Sequence, residues 1–223
     1  MTPPLRCLIT AGPTREYFDP VRYISNPSTG KMGYALAAAA LAAGCRVELV
    51  SGPVALPAPG GAVLHAVGTA EEMLARASEL FPACDILIKT AAVCDMRPCH
   101  YSARKVKKES LARVVEFEPV PDILKILSSA KTPAQTVVGF AAETEEVEKH
   151  ALAKLMAKHL DLIVANQVGP GGSSNAFGSG TNHVFLLGRD GMRQEYGPAP
   201  KPDVARWLMA AILARHAHGR AGV

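Results

Sequence analysis

The sequence has 223 residues, of which 48% are hydrophobic and 20% charged, so it can bury one large core and lies near the upper size of a single domain. Its net charge of +4 is modest and its basic residues form no long stripe, which argues against nucleic-acid binding and favours small anionic ligands. No window approaches the roughly 18 apolar residues of a membrane span, and the cysteines form no zinc pattern. We therefore expect a cytoplasmic protein without membrane contact and without a structural metal site.

Apolar, β-branched runs alternate with helical patterns along most of the chain. They predict strands at residues 8–10, 46–51, 85–89, 136–140 and 161–164, and helices at residues 32–43, 70–80, 122–129 and 145–158. Residues 182–187 and 192–196 then predict a β-hairpin, and residues 200–216 an amphipathic helix that closes the fold. Because the strands are apolar throughout and joined by helices, we predict an α/β, Rossmann-like, doubly wound fold with a mostly parallel sheet, a C-terminal β-hairpin and a protruding basic arm, all in one domain of residues 1–223.

Three segments are longer than the ~2 to 6 residues of an ordinary α/β connection. Residues 12–29 separate the first strand from its helix, residues 94–113 form a strongly basic arm or lid, and residues 169–180 form a flexible loop rich in glycine and serine. Ligands of open α/β sheets bind outside the carboxyl ends of the strands, where these segments are expected to lie. We predict that all three converge on one site.

The first long segment carries residues suited to an anion, although it matches neither GxGxxG nor a Walker loop. Ser28, Thr29 and Gly30 precede a predicted helix, whose free N–H groups and dipole favour negative charge. Gly30 and Gly33 permit close approach of a ligand and of the sheet. A capping and packing role alone is the alternative that these residues leave open.

The stretch from Leu8 to Gly33 resembles the signature of phosphopantothenoylcysteine synthetases, which runs ITAGPTRE, DPVR, ISN and S-[ST]-GKMG. The resemblance covers nearly the whole chain, through VSGP at 50–53, AAV at 91–93, KVKK at 105–108, PDI at 121–123, GFAAET at 139–144 and DLIVAN at 161–166. It corresponds to the synthetase half of the coenzyme A biosynthesis proteins, so a decarboxylase partner is expected on a separate chain.

This resemblance implies a ligase that joins 4'-phosphopantothenate to L-cysteine through an acyl-cytidylate and releases pyrophosphate and CMP. CTP is then the co-substrate, with Mg²⁺ carried by its triphosphate and no protein metal ligands. The resemblance also implies a homodimer, in which the arm of one subunit helps to cover the partner's site.

Catalytic roles are implied by the resemblance for Asn26, Lys105 and Arg22. The Asn26 amide orients the acyl phosphate, Arg22 is its charge partner, and Lys105 on the arm neutralises phosphate charge. Substrate binding is implied for Arg22, Asn26 and Ala92. Nucleotide contacts are implied for Gly12, Ser28, Gly30, Lys89, Thr90, Ala91, Ala92, Asp95, Lys105, Pro121, Asp122, Ile123, Leu124, Phe140, Lys154 and Lys158.

Several alternatives stay open at this stage. A solvated face is the alternative interpretation of the basic arm, which a cationic arm that closes over phosphate groups explains better. Lys154 and Lys158 share one helix face, and ordinary surface lysines are the alternative for them. Residues that depart from the usual family pattern leave open CTP against ATP and the exact acid substrate; they are Lys89, Met96, Val120 and Gly180. A nucleotide-binding protein without turnover is a second alternative. A dinucleotide-dependent oxidoreductase is a third, which the lack of GxGxxG opposes.

Overall fold

A computed structural model describes residues 3–110, 113–169 and 178–221, with side chains described up to residue 219. Its strands are β1 (Arg6–Ala11), β2 (Arg15–Tyr17), β3 (Tyr23–Ser25), β4 (Arg46–Ser51), β5 (Val63–Ala66), β6 (Ile86–Lys89), β7 (Met96–Pro98), β8 (Phe117–Pro119), β9 (Thr136–Glu143), β10 (Leu162–Gln167), β11 (Thr181–Gly188) and β12 (Arg193–Pro200). Its helices are α1 (Lys31–Ala42), α2 (Ala70–Leu80), α3 (Ile123–Ser129), α4 (Val147–Ala157) and α5 (Lys201–Ala221).

Within the described residues, one eight-stranded sheet runs through the molecule in the order β12-β11-β10-β9-β6-β1-β4-β5. The six strands from β5 to β10 in this order pair in parallel, whereas β11 and β12 pair antiparallel at the edge. Leu8 and Ile9 on β1 are fully buried although they face opposite sides, as expected for a strand covered on both faces. The predicted doubly wound, mostly parallel sheet with its C-terminal hairpin is confirmed.

Helices cover both faces of this sheet because each presents an apolar stripe to it. On one face, α1 and α5 share a core of buried side chains that includes Leu36, Ala37, Val204, Leu208 and Ile212. On the other face, α2, α3 and α4 bury Met73, Ala77, Leu127, Ala151 and Leu155. This arrangement leaves the carboxyl ends of the parallel strands, together with the start of α1, at one edge of the molecule.

The long segments contain secondary structure that the sequence pattern did not predict. Residues 12–29 include the antiparallel pair β2–β3, and the arm is closed at its base by the antiparallel pair β7–β8. At the sheet edge, β5 was also missed, because its exposed Val63 and Leu64 break the buried pattern of the central strands. Residues 111–112 of the arm and 170–177 of the predicted flexible loop lie outside the described residues.

Two strand bounds also differ from the prediction, and the difference matters for the site. β9 continues to Glu143 and β10 to Gln167, each about three residues beyond the predicted end. The paired register of Asn166 with Ala142 carries both residues to the carboxyl edge of the sheet. Similarly, α4 begins at Val147 and ends at Ala157, so Lys158 caps the helix rather than lying within it.

Gly33 fixes how closely α1 approaches β1, and we expect Gly33→Ala to destabilise the fold. A Cβ there would lie 2.5 Å from Thr90 Oγ1 and 2.6 Å from Ala11 Cβ, so the helix must shift. Such overpacking costs about 1–3 kcal/mol in the free energy of unfolding, which urea titration measures. Gly60→Ala is the matched control, since a Cβ at Gly60 meets open space. Equal stability of the two variants would contradict the prediction.

Candidate functional site

A cleft of about 280 Å³ opens at the carboxyl edge of the sheet. Its walls come from the ends of β1, β6, β9 and β10, from the start of α1, and from the two ends of the C-terminal hairpin. The lining residues are Gly12, Asn26, Ser28, Thr29, Gly30, Lys31, Met32, Gly33, Lys89, Thr90, Ala91, Ala92, Val93, Phe140, Ala142, Asn166, Asn182 and Lys201. This described lining contains three lysines and no carboxylate, so it suits an anion.

The start of α1 forms one wall of the cleft, and its backbone approaches closely there. Gly30 is the N-cap, with φ +75°, and no side chain caps the helix. Gly12, with φ +71°, lies opposite, and a Cβ on either glycine would press within 3.0 Å of Val54 Cγ1. The first N–H groups of a helix lack partners within the helix and carry the positive end of its dipole. The start of α1 therefore offers N–H groups that suit an anionic oxygen, and the nucleotide contacts of Ser28 and Gly30 stay predictions.

Asn26 lies half-buried in the lining at the end of β3. Its Nδ2 donates a hydrogen bond to Ala92 O at 3.1 Å. Ala92 is itself fixed, because its N–H donates to Gly12 O at 2.9 Å and its carbonyl also accepts from Thr14 N at 3.2 Å. The structure thus brings the predicted substrate residues Asn26 and Ala92 together, with one amide N–H of Asn26 left for another acceptor.

Lys89 lines the cleft and is also close enough to several charged residues outside it to feel their charge. Its Nζ donates to Ala91 O at 2.9 Å. Burial and the positive charge of Lys158 together lower the pKa of Lys89 to about 8, against the opposing charges of Asp122 and Asp95. The charges that Lys89 feels therefore belong to residues predicted to contact the nucleotide.

The charged residues around Lys89 lie outside the cleft lining, and Lys158 and Lys154 each form an ion pair. Lys158 Nζ lies 2.8 Å from Asp122 Oδ2, and Lys154 Nζ lies 2.5 Å from Glu143 Oε1. Asp122 also caps α3 by accepting from Lys125 N at 3.1 Å. A phosphate approaching this short helix would meet the Asp122 carboxylate, so the start of α3 suits a sugar or base edge better than a phosphate.

The PDIL segment and Phe140 differ in what they offer a ligand. Ile123 and Leu124 pack their side chains into the core, which leaves only their backbone for contact. Pro121 is exposed, and neither it nor Asp95 lines the cleft. Phe140 is half-buried and does line the cleft, beside Thr90 and Ala91. The nucleotide contacts of this segment stay predictions.

Hydrogen bonds join Arg22 to the arm. Arg22 precedes β3, whereas Asn26 follows it at the other end. Arg22 Nη1 donates to Asp19 Oδ2 at 2.9 Å and to Val106 O at 3.2 Å. Asp19 is fully buried and also accepts from Val106 N at 3.2 Å. Burial alone would raise the pKa of Asp19, but the backbone hydrogen bonds from Val21, Arg22 and Val106, together with the Arg22 charge, bring it below its usual value.

Lys105 is next to this anchor, yet its side chain is exposed. Neither Lys105 nor Arg22 lines the cleft. Of the three long segments expected to converge, the first lines the cleft and the end of the third lies beside it, whereas the arm is held apart at Asp19 and Arg22. The catalytic roles of Lys105 and Arg22 therefore stay predictions.

Four polar residues of the lining were not singled out from the sequence: Lys31, Asn166, Asn182 and Lys201. Lys31 and Asn166 stand within quoted motifs, GKMG and DLIVAN, and could have been found from them. Asn182 and Lys201 begin a strand and a helix, and only the return of the hairpin to this edge brings them to the site. No local pattern reveals that.

Neither a metal-binding cluster nor a membrane-spanning helix is found in the described part of the chain. Residues 3–110, 113–169 and 178–221 contain no group of three or more His, Cys, Asp or Glu placed to hold a metal ion. Among the helices of those same ranges, none is long and apolar enough to cross a membrane.

The low pKa of Lys89 predicts how anion binding depends on pH. Lys89 loses its charge as the pH rises through about 8, so the affinity of the cleft for an anion such as a nucleotide should fall between pH 7 and pH 9. If only the charged amine binds, the loss approaches about tenfold. Calorimetric titration of CTP at several pH values measures it, and Lys89→Met should remove this component. An unchanged pH profile in Lys89→Met would show that the amine does not face the ligand.

Comparison with known proteins places these features in a family. The profile of the DNA/pantothenate metabolism flavoprotein C-terminal domain matches residues 4–215. The coenzyme A biosynthesis bifunctional protein CoaBC of Bacillus subtilis is 47% identical over 93% of this chain, which spans 50% of that protein. The chain thus spans about half the length of this curated relative.

Solved structures agree. The C-terminal domain of a coenzyme A biosynthesis bifunctional protein CoaBC is 40% identical, with a TM-score of 0.79 and 93% of each chain covered. A Cab2 mutant in complex with phosphopantothenate-cysteine has a TM-score of 0.79 over 98% of this chain and 88% of its own; at 18% identity it shows a shared fold. The resemblance noted from residues 8–33 is confirmed, and the chain belongs to the DNA/pantothenate metabolism flavoprotein C-terminal domain family.

Proposed function

We propose that this chain is a phosphopantothenate–cysteine ligase that uses CTP and acts in coenzyme A biosynthesis. The observation that carries the proposal is the cleft, in which three lysines, the open N-terminus of α1 and the Asn26 amide line one space without a carboxylate. Family membership supports it, because its matched relatives are bifunctional proteins of coenzyme A biosynthesis. The Cab2 mutant, a complex with phosphopantothenate-cysteine, shares the fold and fits the same proposal.

The reaction has two steps. A carboxylate oxygen of phosphopantothenate attacks the α-phosphorus of CTP, forming an O–P bond while the bond to pyrophosphate breaks. The cysteine amine then attacks the acyl carbon, forming the C–N bond, and CMP leaves as the amine loses its proton to solvent. Positioning and charge stabilisation supply most of the rate enhancement in such steps.

The protein's part in both steps is electrostatic. The N–H groups at the start of α1 and the lysines of the cleft hold phosphate oxygens, and the free N–H of Asn26 points to the oxygen that bears charge in the acyl phosphate. Lys105 on the arm adds a cation to the bound phosphates, and Arg22 holds the arm at Val106. The paired Asp122 and Lys158 offer polar contacts to the sugar or base.

Mg²⁺ is proposed to arrive with the triphosphate. The described cleft lining offers amide and hydroxyl oxygens but no carboxylate, so it does not form a protein cage for the ion. When bound, Mg²⁺ neutralises charge on the phosphate oxygens.

A homodimer is proposed for the assembly, with the arm of one subunit near the partner's cleft. Large apolar side chains around the arm and β3 are exposed, among them Val21, Tyr101 and Val114, the last at 80% of its surface. Such a patch favours a protein partner over water. Sedimentation of the active protein tests this, and a fully active monomer would refute it.

A cytoplasmic location is proposed from the cysteines. Cys7, Cys45, Cys84, Cys94 and Cys99 are all free thiols, and four of them are buried. Reduced cysteines of this kind are typical of a reducing compartment.

The experiment that tests the function measures pyrophosphate release with CTP and with ATP in parallel, each with 4'-phosphopantothenate, with and without L-cysteine. We expect release that depends on the acid, and formation of phosphopantothenoylcysteine and CMP when cysteine is present. Release with ATP in preference to CTP would keep the ligase and change the co-substrate. Nucleotide binding without release from any triphosphate would leave a binding protein without turnover.

A further inference from the structure

A second group of polar residues lies on the side of the cleft formed by α1, β10 and α5. It consists of Lys31, Asn166 and Lys201, all three in the cleft lining. The reaction described above gives Asn166 no role, and Lys201 enters it only as one of the three lysines of the cleft. Both are buried, Asn166 to 6% and Lys201 to 3% residual exposure, so they are not ordinary surface residues.

The fold brings Lys201 to this place through the antiparallel hairpin. β11 begins at the carboxyl edge of the sheet, and β12 returns to the same edge, where Thr181 pairs with Pro200. Lys201 follows at once, and its N–H donates to Gly180 O at 2.9 Å. As α5 then packs over α1, Lys201 comes to lie beside Lys31.

The two lysines lie close enough to affect each other. Burial lowers the pKa of Lys201, and the positive charge of Lys31 lowers it further. Two ammonium groups next to each other, in a lining with no carboxylate, repel each other, and an anion placed between them would relieve that repulsion. The arrangement therefore favours a ligand of negative charge.

Asn166 supplies an independent sign of a missing acceptor. Its Nδ2 is buried and has no hydrogen-bond partner among the described residues. Buried amide donors are nearly always paired in folded proteins, so an unpaired one next to a binding cleft points to an acceptor that arrives with the ligand. Phosphate oxygens are acceptors of the right kind.

We propose that Lys31, Asn166 and Lys201 form a phosphate subsite on this side of the cleft. The inference rests on the proposed function, which supplies two phosphate-bearing ligands. One is the terminal diphosphate of the triphosphate, which leaves as pyrophosphate. The other is the phosphate monoester of the acid substrate. The chemistry recognised is the same in both cases, a doubly or more highly charged phosphate group.

The alternative to phosphate binding is that the two lysines only hold the neighbouring backbone in place. Lys31 Nζ donates to Gly178 O and Lys201 Nζ to Ser179 O, each at 2.9 Å, so both hold the segment that precedes β11. Asn166 has no part in that anchoring. A change at Asn166 therefore separates the two roles.

The test is calorimetric titration of the whole chain with inorganic pyrophosphate, CTP, CMP and 4'-phosphopantothenate. Asn166→Asp keeps the shape of the side chain but replaces its donor with a negative charge, and Lys201→Met removes the cation while keeping an apolar stem. We expect each variant to bind either pyrophosphate and CTP, or 4'-phosphopantothenate, at least tenfold more weakly than the wild type does. Lys149→Met, at an exposed lysine on α4 that pairs with Glu146, is the control and should bind all four as wild type does.

Each outcome decides something. Weaker binding of pyrophosphate and CTP, with CMP unchanged, assigns the subsite to the diphosphate; weaker binding of 4'-phosphopantothenate alone assigns it to the monoester. Wild-type affinities in folded Asn166→Asp and in Lys31→Met, which alters an exposed side chain, would overturn the subsite even if the wild type is an active ligase. If the wild type catalyses no ligation but the variants still lose its pyrophosphate binding, the subsite stands and the proposed function is rejected.

Discussion

Replacing Asn26 with aspartate is expected to lower the turnover number of ligation by about 10²- to 10³-fold, the size of effect seen when a donor to a developing oxyanion is removed. In the structure, one N–H of the Asn26 amide is held by Ala92 O, which fixes the side chain. Asn26 also lines the cleft, so we expect its second N–H to meet the ligand. In Asn26→Asp no donor remains, and a carboxylate faces both the Ala92 carbonyl and the acyl phosphate. The loss should therefore appear mainly in kcat.

The measurement is pyrophosphate release and CMP formation at saturating CTP and 4'-phosphopantothenate. Asn26→Ala should be measured together with Asn26→Asp. Alanine removes the donor without adding a charge, so this variant should show a large part of the same loss. Gln194→Glu makes the same amide-to-acid change at an exposed position on β12 and should keep wild-type rates. If both Asn26 variants turn over within about threefold of wild type, Asn26 has no part in the chemistry.

The framework of the fold was predictable because its signals are local. β4 and α2 were predicted with the bounds that the structure shows, since β4 carries Val47, Leu49 and Val50 in a short β-prone run and α2 carries a clear cap. At that cap, Glu72 N donates to the Thr69 hydroxyl at 3.2 Å, and the Glu72 carboxylate accepts from Thr69 N at 3.3 Å. Such features depend on residues three or four apart, which a sequence displays directly.

The missed strands have weaker local signals. β2, β3, β7 and β8 are three residues each and are partly exposed, so they show neither a buried run nor a long alternation. Their pairing depends on tertiary contacts, such as the ring of Phe18 against that of Phe117, with centroids 6.1 Å apart. A sequence pattern contains no trace of such a contact.

The residues of the site likewise fall into those with a local sequence signal and those placed by tertiary structure. The wall formed by Asn26, Ser28 and Gly30 follows one motif and was predicted as a unit, whereas Lys201 is about 170 residues from that motif and is brought to it by the hairpin and α5. The burial that lowers the pKa of Lys89 likewise arises only when α3 and α4 pack beside β6. Sequence thus predicts the residues of a motif better than their electrostatic environment.

Lys105→Gln is expected to lower the turnover number by about 10²-fold, because the proposed role of Lys105 is to neutralise phosphate charge on the bound ligands. The backbone of the next residue is held on both sides, since Val106 N donates to Asp19 Oδ2 and Val106 O accepts from Arg22 Nη1. Lys105 therefore projects from a fixed point of an otherwise exposed arm, which sets it apart from the neighbouring lysines. Lys107→Gln makes the same charge change two residues along and should cost no more than about threefold.

The comparison distinguishes a specific contact from a general positive field. If the arm acts only by its net charge, Lys105→Gln and Lys107→Gln lose equal activity, and the loss fades at high salt because exposed charges are screened there. If Lys105 makes a direct contact, its loss persists in salt and Lys105→Arg restores part of the rate. Because Lys105 is exposed and forms no ion pair within the described residues, neither change should alter the urea midpoint, so a fall in rate reports on function and not on folding.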